Sequence, residues 1–316
     1  DAEVKAIEAK VAALGCETLR IEGTERSVVA VLGNPGFPTD ALVELPGVSN
    51  VLRVGKPYKL ASLDVRDKPT VVRAGEVAFG GNQIQVIAGP AVVESAEMLA
   101  ETAAFCAETG IGVLRGGAFN ADGPYGFEGL GERALEILAE ARESAGLRIL
   151  TEVSSVEQVE RAAEVADLLL ITSRHMHNSP LLAACARIDT PVVLKRGNAA
   201  TIDEWLRAAE TILAPGHNPN VILCERGIRT YERATANTLD LSAIPVMRAR
   251  THLPVIVDPS FGTGRRTYAA PMARAAVAAG ADGVMLVTHP DPPGALVGGP
   301  ISLHFEQLRE LVRDLQ

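Results

Sequence analysis

From Gln83 onward, short apolar runs alternate with longer segments of helical periodicity, and this alternation leaves few folds open. Eight such runs occur, at residues 83–88, 113–115, 148–151, 168–171, 192–195, 221–224, 255–257 and 284–287. Each is short and apolar enough to be a strand buried on both faces of a parallel sheet. Helical patterns lie between them, over residues 96–108, 133–143, 156–164, 202–213 and 271–279. Eight successive β/α units predict an α/β fold, a (β/α)8 TIM barrel spanning residues 83–316. A doubly wound open sheet is the alternative. It usually has fewer strands and a GxGxxG turn after the first, where this chain reads Ala88-Gly89-Pro90.

Residues 1–65 differ in character and predict a small ferredoxin-like α+β domain ahead of the barrel. A helix is expected over residues 4–14, strands over 17–21 and 27–32, a short helix over 41–44 and a strand over 48–54. That order is a split βαβ unit without its first strand, which residues upstream of Asp1 would supply. Residues 66–82 lie in a polar stretch and read as a linker.

With 39 acidic against 30 basic residues, a net charge of −9 disfavours nucleic acid and anionic membranes as partners. It also gives a local cluster of cations more meaning. Cys16, Cys106, Cys185 and Cys224 are widely spaced with no CxxC pair, which fits reduced thiols in the cytoplasm. No apolar run reaches the roughly 18 residues of a membrane helix, and the polar start does not read as a secretory signal.

Function in a barrel gathers at the C-terminal ends of the strands. There the sequence places Arg115, Arg174, Lys195 and Arg226 around one mouth, with Glu152, Glu225 and Asp258 beside them. Cations converging on a low-dielectric cavity repel one another unless an anion joins them, and guanidinium forks suit carboxylate or phosphate oxygens. A small carboxylate or phosphate is therefore the expected ligand. The alternative pairs each cation with a neighbouring acid such as Glu152 or Glu225. His175, His177 and His289 share the mouth, and an imidazole there suits proton transfer. His252, at the opposite end of its strand, reads as a packing residue, while His217 and His304 read as solvated. The histidines and acids show no diagnostic metal-ligand spacing, so neither metal nor other cofactor is expected.

The motifs Ile87-Ala88-Gly89-Pro90, Leu114-Arg115-Gly116-Gly117, Thr151-Glu152, Lys195-Arg196-Gly197, Glu225-Arg226-Gly227 and Val257-Asp258-Pro259-Ser260 resemble the type I-beta class of DAHP synthases. That family joins phosphoenolpyruvate to erythrose 4-phosphate. The resemblance implies that Arg115, Arg174, Lys195 and Arg226 hold phosphoenolpyruvate, that the N-terminal domain is of the ACT-like regulatory kind, and that the chain forms a homo-oligomer, dimer or tetramer. It also implies four metal ligands: a cysteine, a histidine, a glutamate and an aspartate. Those positions carry Ala91, Phe261, Val287 or Thr288, and a residue near Gly298. A Lys-Pro-Arg-Thr loop of the family is replaced by Phe119-Asn120-Ala121-Asp122-Gly123-Pro124-Tyr125.

On these departures the sequence predicts a repurposed, metal-independent enzyme acting on a chorismate- or prephenate-like carboxylate by dehydration, elimination or rearrangement. His175, His177 and Glu152 would be its catalytic groups. Arg115, Arg174, Lys195, Arg226, Glu225, Asp258 and His289 would bind the substrate. The alternatives are an authentic DAHP synthase and a non-catalytic regulatory paralogue.

Overall fold

The computed structural model describes residues 2–22, 27–32, 37–51, 57–119, 126–214 and 218–315. It opens with α1 (Ala2–Ala13), the antiparallel strands β1 (Glu17–Glu22) and β2 (Ser27–Leu32), and α2 (Asp40–Val43). Val11, Cys16, Phe37 and Leu42 form a small core of their own, against which Ile7, Val31 and Val51 pack. Residues 48–51, expected to begin a strand, have no regular structure, and residues 52–54 fall outside the described residues.

The stretch expected as a linker instead contains a hairpin, β3 (Val72–Ala74) paired with β4 (Val77–Phe79). Its polar flanks hid three apolar positions, Val72, Ala74 and Phe79, all buried against strands of the main sheet.

That sheet is a closed barrel of eight parallel strands: β5 (Gln85–Gly89), β6 (Val113–Arg115), β7 (Arg148–Val153), β8 (Leu168–Ile171), β9 (Val192–Lys195), β10 (Val221–Glu225), β11 (Val255–Val257) and β12 (Gly283–Val287). The expected (β/α)8 architecture holds at all eight runs. Strand β12 pairs with β5, Val287 opposite Gly89, and completes the ring. Gly89 takes a φ of 148°, and a Cβ there would lie 2.1 Å from the Arg115 carbonyl oxygen, so only glycine lets β5 and β6 approach this closely.

Alternation along each strand sorts the side chains into two cores. Ile87, Leu150, Leu170, Val193, Ile256 and Met285 join the β3–β4 hairpin in one buried cluster along the barrel axis. Their strand neighbours, including Ala88, Ile149, Leu169, Leu194 and Leu286, pack outward against helices.

The helices are α3 (Ala96–Glu108), α4 (Glu132–Ala145), α5 (Glu157–Val165), α6 (Ser179–Cys185), α7 (Ile202–Leu213), α8 (Ala243–Arg248), α9 (Pro259–Thr263), α10 (Arg266–Ala278) and α11 (Phe305–Leu315). Ser95 caps α3 by accepting the Met98 N–H, and Thr201 with Glu204 forms a capping box on α7, so both begin where the sequence pattern places them. Helix α10 starts five residues before its expected start at Pro271 and carries that proline inside it, at the cost of one backbone hydrogen bond near the first turn. None of the described helices is long and apolar enough to cross a membrane.

Glu210 on α7 ties the N-terminal segment to the barrel. Its carboxylate accepts the backbone N–H groups of Lys59, Leu60 and Ala61 at 2.9, 2.9 and 3.0 Å. His252 braces the same turn, its ring nitrogens lying 2.7 Å from the Leu60 carbonyl oxygen and from Thr70 Oγ1. Glu210→Ala leaves three donors without their acceptor. We expect a loss of about 1–3 kcal/mol in urea denaturation and faster proteolysis near residue 59. Unchanged stability and cleavage would show that the clamp holds nothing.

Candidate active site

The strands end in a cavity of about 320 Å³ at the barrel mouth. Six sequence-predicted residues, Arg115, Glu152, Arg174, His175, Lys195 and Arg226, line it. Ala91, Val92, Phe261 and Val297 form its apolar side, and Ser154, Thr172, Ser173 and Asn198 add polar atoms that strand-end reading missed. Asn198 lies three residues past Lys195, so its place on the β9 loop was a usable signal.

Arg115 ends β6 with 2% of its surface exposed, and its Nε and Nη1 lack hydrogen-bond partners among the described residues. Its Nη1 is 4.0 Å from Asp258 Oδ2. Lys195 ends β9 and donates from Nζ to the same Asp258 oxygen at 2.6 Å. Arg226 follows β10 and is aimed by Asn198, whose Oδ1 accepts from Nη1 at 2.7 Å. Arg174 stands exposed at the outer lip. Buried guanidinium donors are costly unless a ligand or water supplies acceptors. Ser173 Oγ, also buried without a partner, adds another polar atom to the same wall.

The acids divide into two kinds. Burial pushes the Glu152 carboxyl up from its ordinary value, with Arg115 and Lys195 pulling against it, so this carboxyl can hold a proton within the cavity. Asp258 is buried too, but Lys195 and Arg115 outweigh the burial and hold it below the usual range. Asp258 does not line the cavity. It stands behind as the counter-ion of Lys195 and accepts the Phe261 N–H at 3.0 Å as the cap of α9.

Three other predicted residues also lie outside the lining. Glu225 is fully buried, accepting from Arg196 Nη1 at 2.9 Å and from the Gly227 N–H at 2.5 Å. Arg196 also donates to Asp240 at 2.9 Å, so these three form a structural network behind the site. His289 accepts the Asp291 N–H on Nδ1, leaving Nε2 3.5 Å from Glu94 Oε2. His177 is exposed. His175 is half-buried at the cavity. Burial and then the neighbouring Arg174 lower its pKa below 6.5, so its imidazole is neutral at pH 7.

The four positions that the resemblance assigns to a metal do come together. Ala91 and Val287 form a buried apolar cluster with Ile301, packed by Phe261 and Val297. A Cβ on Gly298 would lie 3.0 Å from that of Ala91. None of these positions offers a donor, and Thr288 Oγ1 is spent on the Leu303 carbonyl oxygen at 2.8 Å. Among the described residues no group of three His, Cys, Asp or Glu side chains could hold an ion. The residues present do not fit a divalent metal. The altered loop, residues 120–125 with Asp122, lies outside the described residues.

Residues 64–316 match the profile of the DAHP synthetase I family. The phospho-2-dehydro-3-deoxyheptonate aldolase of Thermotoga maritima is 45% identical over 297 residues, 93% of this chain and 88% of that protein. A 2-dehydro-3-deoxyphosphooctonate aldolase of Rhodopseudomonas palustris is 36% identical over 265 residues, 78% of this chain and 91% of its own. The crystal structure of the Thermotoga maritima DAHP synthase has a TM-score of 0.81 at 42% identity, covering 99% of this chain and 92% of that one. A truncated form of 3-deoxy-D-arabino-heptulosonate 7-phosphate synthase from the same organism has a TM-score of 0.77 at 44% identity, covering 82% and 95%.

These findings correct the expectation of an enzyme repurposed for a chorismate- or prephenate-like substrate. That reading gave a few changed positions on one wall more weight than the chain as a whole. Identity of 45% over 93% of the sequence supports the authentic family reaction instead, and the cationic wall of the cavity accords with it. The chain belongs to the DAHP synthetase I family.

Proposed function

We propose that this protein condenses phosphoenolpyruvate with erythrose 4-phosphate. The observation that carries the reading is the cationic wall of Arg115, Lys195 and Arg226, with Arg115 donors that have no partner among the described residues, in a chain so similar to a phospho-2-dehydro-3-deoxyheptonate aldolase. A compact ligand bearing both phosphate and carboxylate suits that wall, and about 320 Å³ is room for a small substrate. The fixed cations hold the enol phosphate in place and stabilise charge that gathers on its oxygens.

In the reaction, C3 of phosphoenolpyruvate bonds to the aldehyde carbon, and the aldehyde oxygen takes a proton. Water adds to C2, the bond from C2 to the phosphate oxygen breaks, and inorganic phosphate leaves. Glu152, whose carboxyl burial pushes up from its ordinary value, is the cavity group suited to protonate the aldehyde oxygen. Neutral His175 is suited to accept the proton from water.

Phosphate release from the two substrates, with product identified by mass spectrometry, tests the reading. No release from the pair, with the protein folded, would sink it. A protonated Glu152 also predicts that kcat falls as pH rises through that group's raised pKa. Glu152→Gln should lower kcat by about 10²–10⁴-fold and remove that limb of the profile. Retention of the limb would assign the proton elsewhere.

A further inference from the structure

The apolar cluster beside the cationic wall invites a question of its own. Ala91, Val287 and Ile301 bury one side of Phe261 and Val297. The Phe261 ring faces two cations, with Lys195 Nζ 4.6 Å and Arg115 Cζ 5.4 Å from its centroid. A carboxylate in that place would neutralise the two charges, and a divalent ion would repel both. An aromatic face attracts ammonium and guanidinium while adding no negative charge to that of Asp258, which already pairs with Lys195 at 2.6 Å.

We propose that this cluster stands in place of an ion site and that Phe261 is a positioning residue. It holds Lys195 and Arg115 ready for an anion, so that the cavity takes phosphoenolpyruvate without a divalent cation. The inference deepens the proposed function for the same site and rests on it for the identity of the ligand.

Two measurements on the full chain test it. Manganese added to chelator-treated protein, followed by electron paramagnetic resonance, should give a free-ion signal rising in proportion to the metal, or uptake indifferent to phosphoenolpyruvate. One equivalent bound per chain, with a spectrum that phosphoenolpyruvate alters, overturns the ion-free cavity. The second measurement replaces Phe261 with phenylalanines carrying one, two and three fluorines, which weaken the ring's negative face at nearly constant shape. Calorimetric Kd for phosphoenolpyruvate should rise stepwise to about tenfold, with Tm unchanged, and Phe261→Leu should weaken binding at least as much. A flat fluorine series reduces Phe261 to packing and overturns the positioning role. Both arms read binding rather than turnover. Phosphoenolpyruvate bound with no phosphate released would sink the proposed reaction alone.

Discussion

Lys195→Met lowers kcat/KM for phosphoenolpyruvate by about two to three orders of magnitude and destabilises the fold in the same step. The substitution removes a cation from the cavity and also strips Asp258 of its 2.6 Å partner. That carboxylate is fully buried, and among the described residues the Phe261 N–H at 3.0 Å, the Arg115 guanidinium at 4.0 Å and the charge of Arg226 still act on it. Breaking a buried pair from one side costs about 3–5 kcal/mol, because a charge is left without compensation. Asp258 has its folded pKa held below the ordinary 3.8, so its contribution exists above that value and disappears as pH falls through the folded pKa. The stability gap between the two proteins should therefore narrow in acid. Steady-state kinetics paired with urea denaturation at several pH values checks both effects. A loss of less than tenfold in kcat/KM would remove Lys195 from the anion site.

The second large effect belongs to a residue that never meets the cavity. Arg196→Met should cost about 3–5 kcal/mol at neutral pH, because Glu225 is fully buried and Arg196 is its cationic partner at 2.9 Å. Burial already raises the Glu225 carboxyl above its ordinary 4.5, and loss of Arg196 raises it further. A raised folded pKa favours the folded state at low pH. The variant's deficit should thus be small below about 4.5, grow as pH rises, and reach its full size above the folded pKa. Urea midpoints across that range test it, and a deficit independent of pH would place the damage in packing instead. Trp205 flanks the same guanidinium at 5.9 Å, so phosphoenolpyruvate affinity measured in the folded variant separates stability from function.

Lys195 and Arg196 illustrate what was legible in the sequence. The end of its strand marked Lys195 as a cation at the mouth, and that much can be read from the eight apolar runs, whereas Arg196 entered only as part of a motif. Alternation along a strand also means that adjacent side chains face opposite ways. Lys195 turns into the cavity, while Arg196 turns outward toward Trp205, Glu225 and Asp240. Which acid serves which cation is a three-dimensional choice, spanning 63 residues for Lys195 and Asp258. Spacing along the chain carries no trace of it. The same limit explains Glu225 and His289, expected to bind substrate, which lie outside the cavity lining and have protein atoms as partners. Phe261 was noticed for the histidine it replaces. Its ring face beneath two cations emerged only once β6, β9 and α9 were brought together.

The β3–β4 hairpin was overlooked because three-residue strands in polar surroundings carry little periodic signal. Its Phe79 nonetheless fills the barrel axis beneath Ile87 and Met285. A shortened chain starting near residue 83 would lack that stopper and let water into the lower bore, whereas one starting near residue 68 would stay sealed. The sealed barrel therefore reaches back into residues that their polarity alone would suggest discarding.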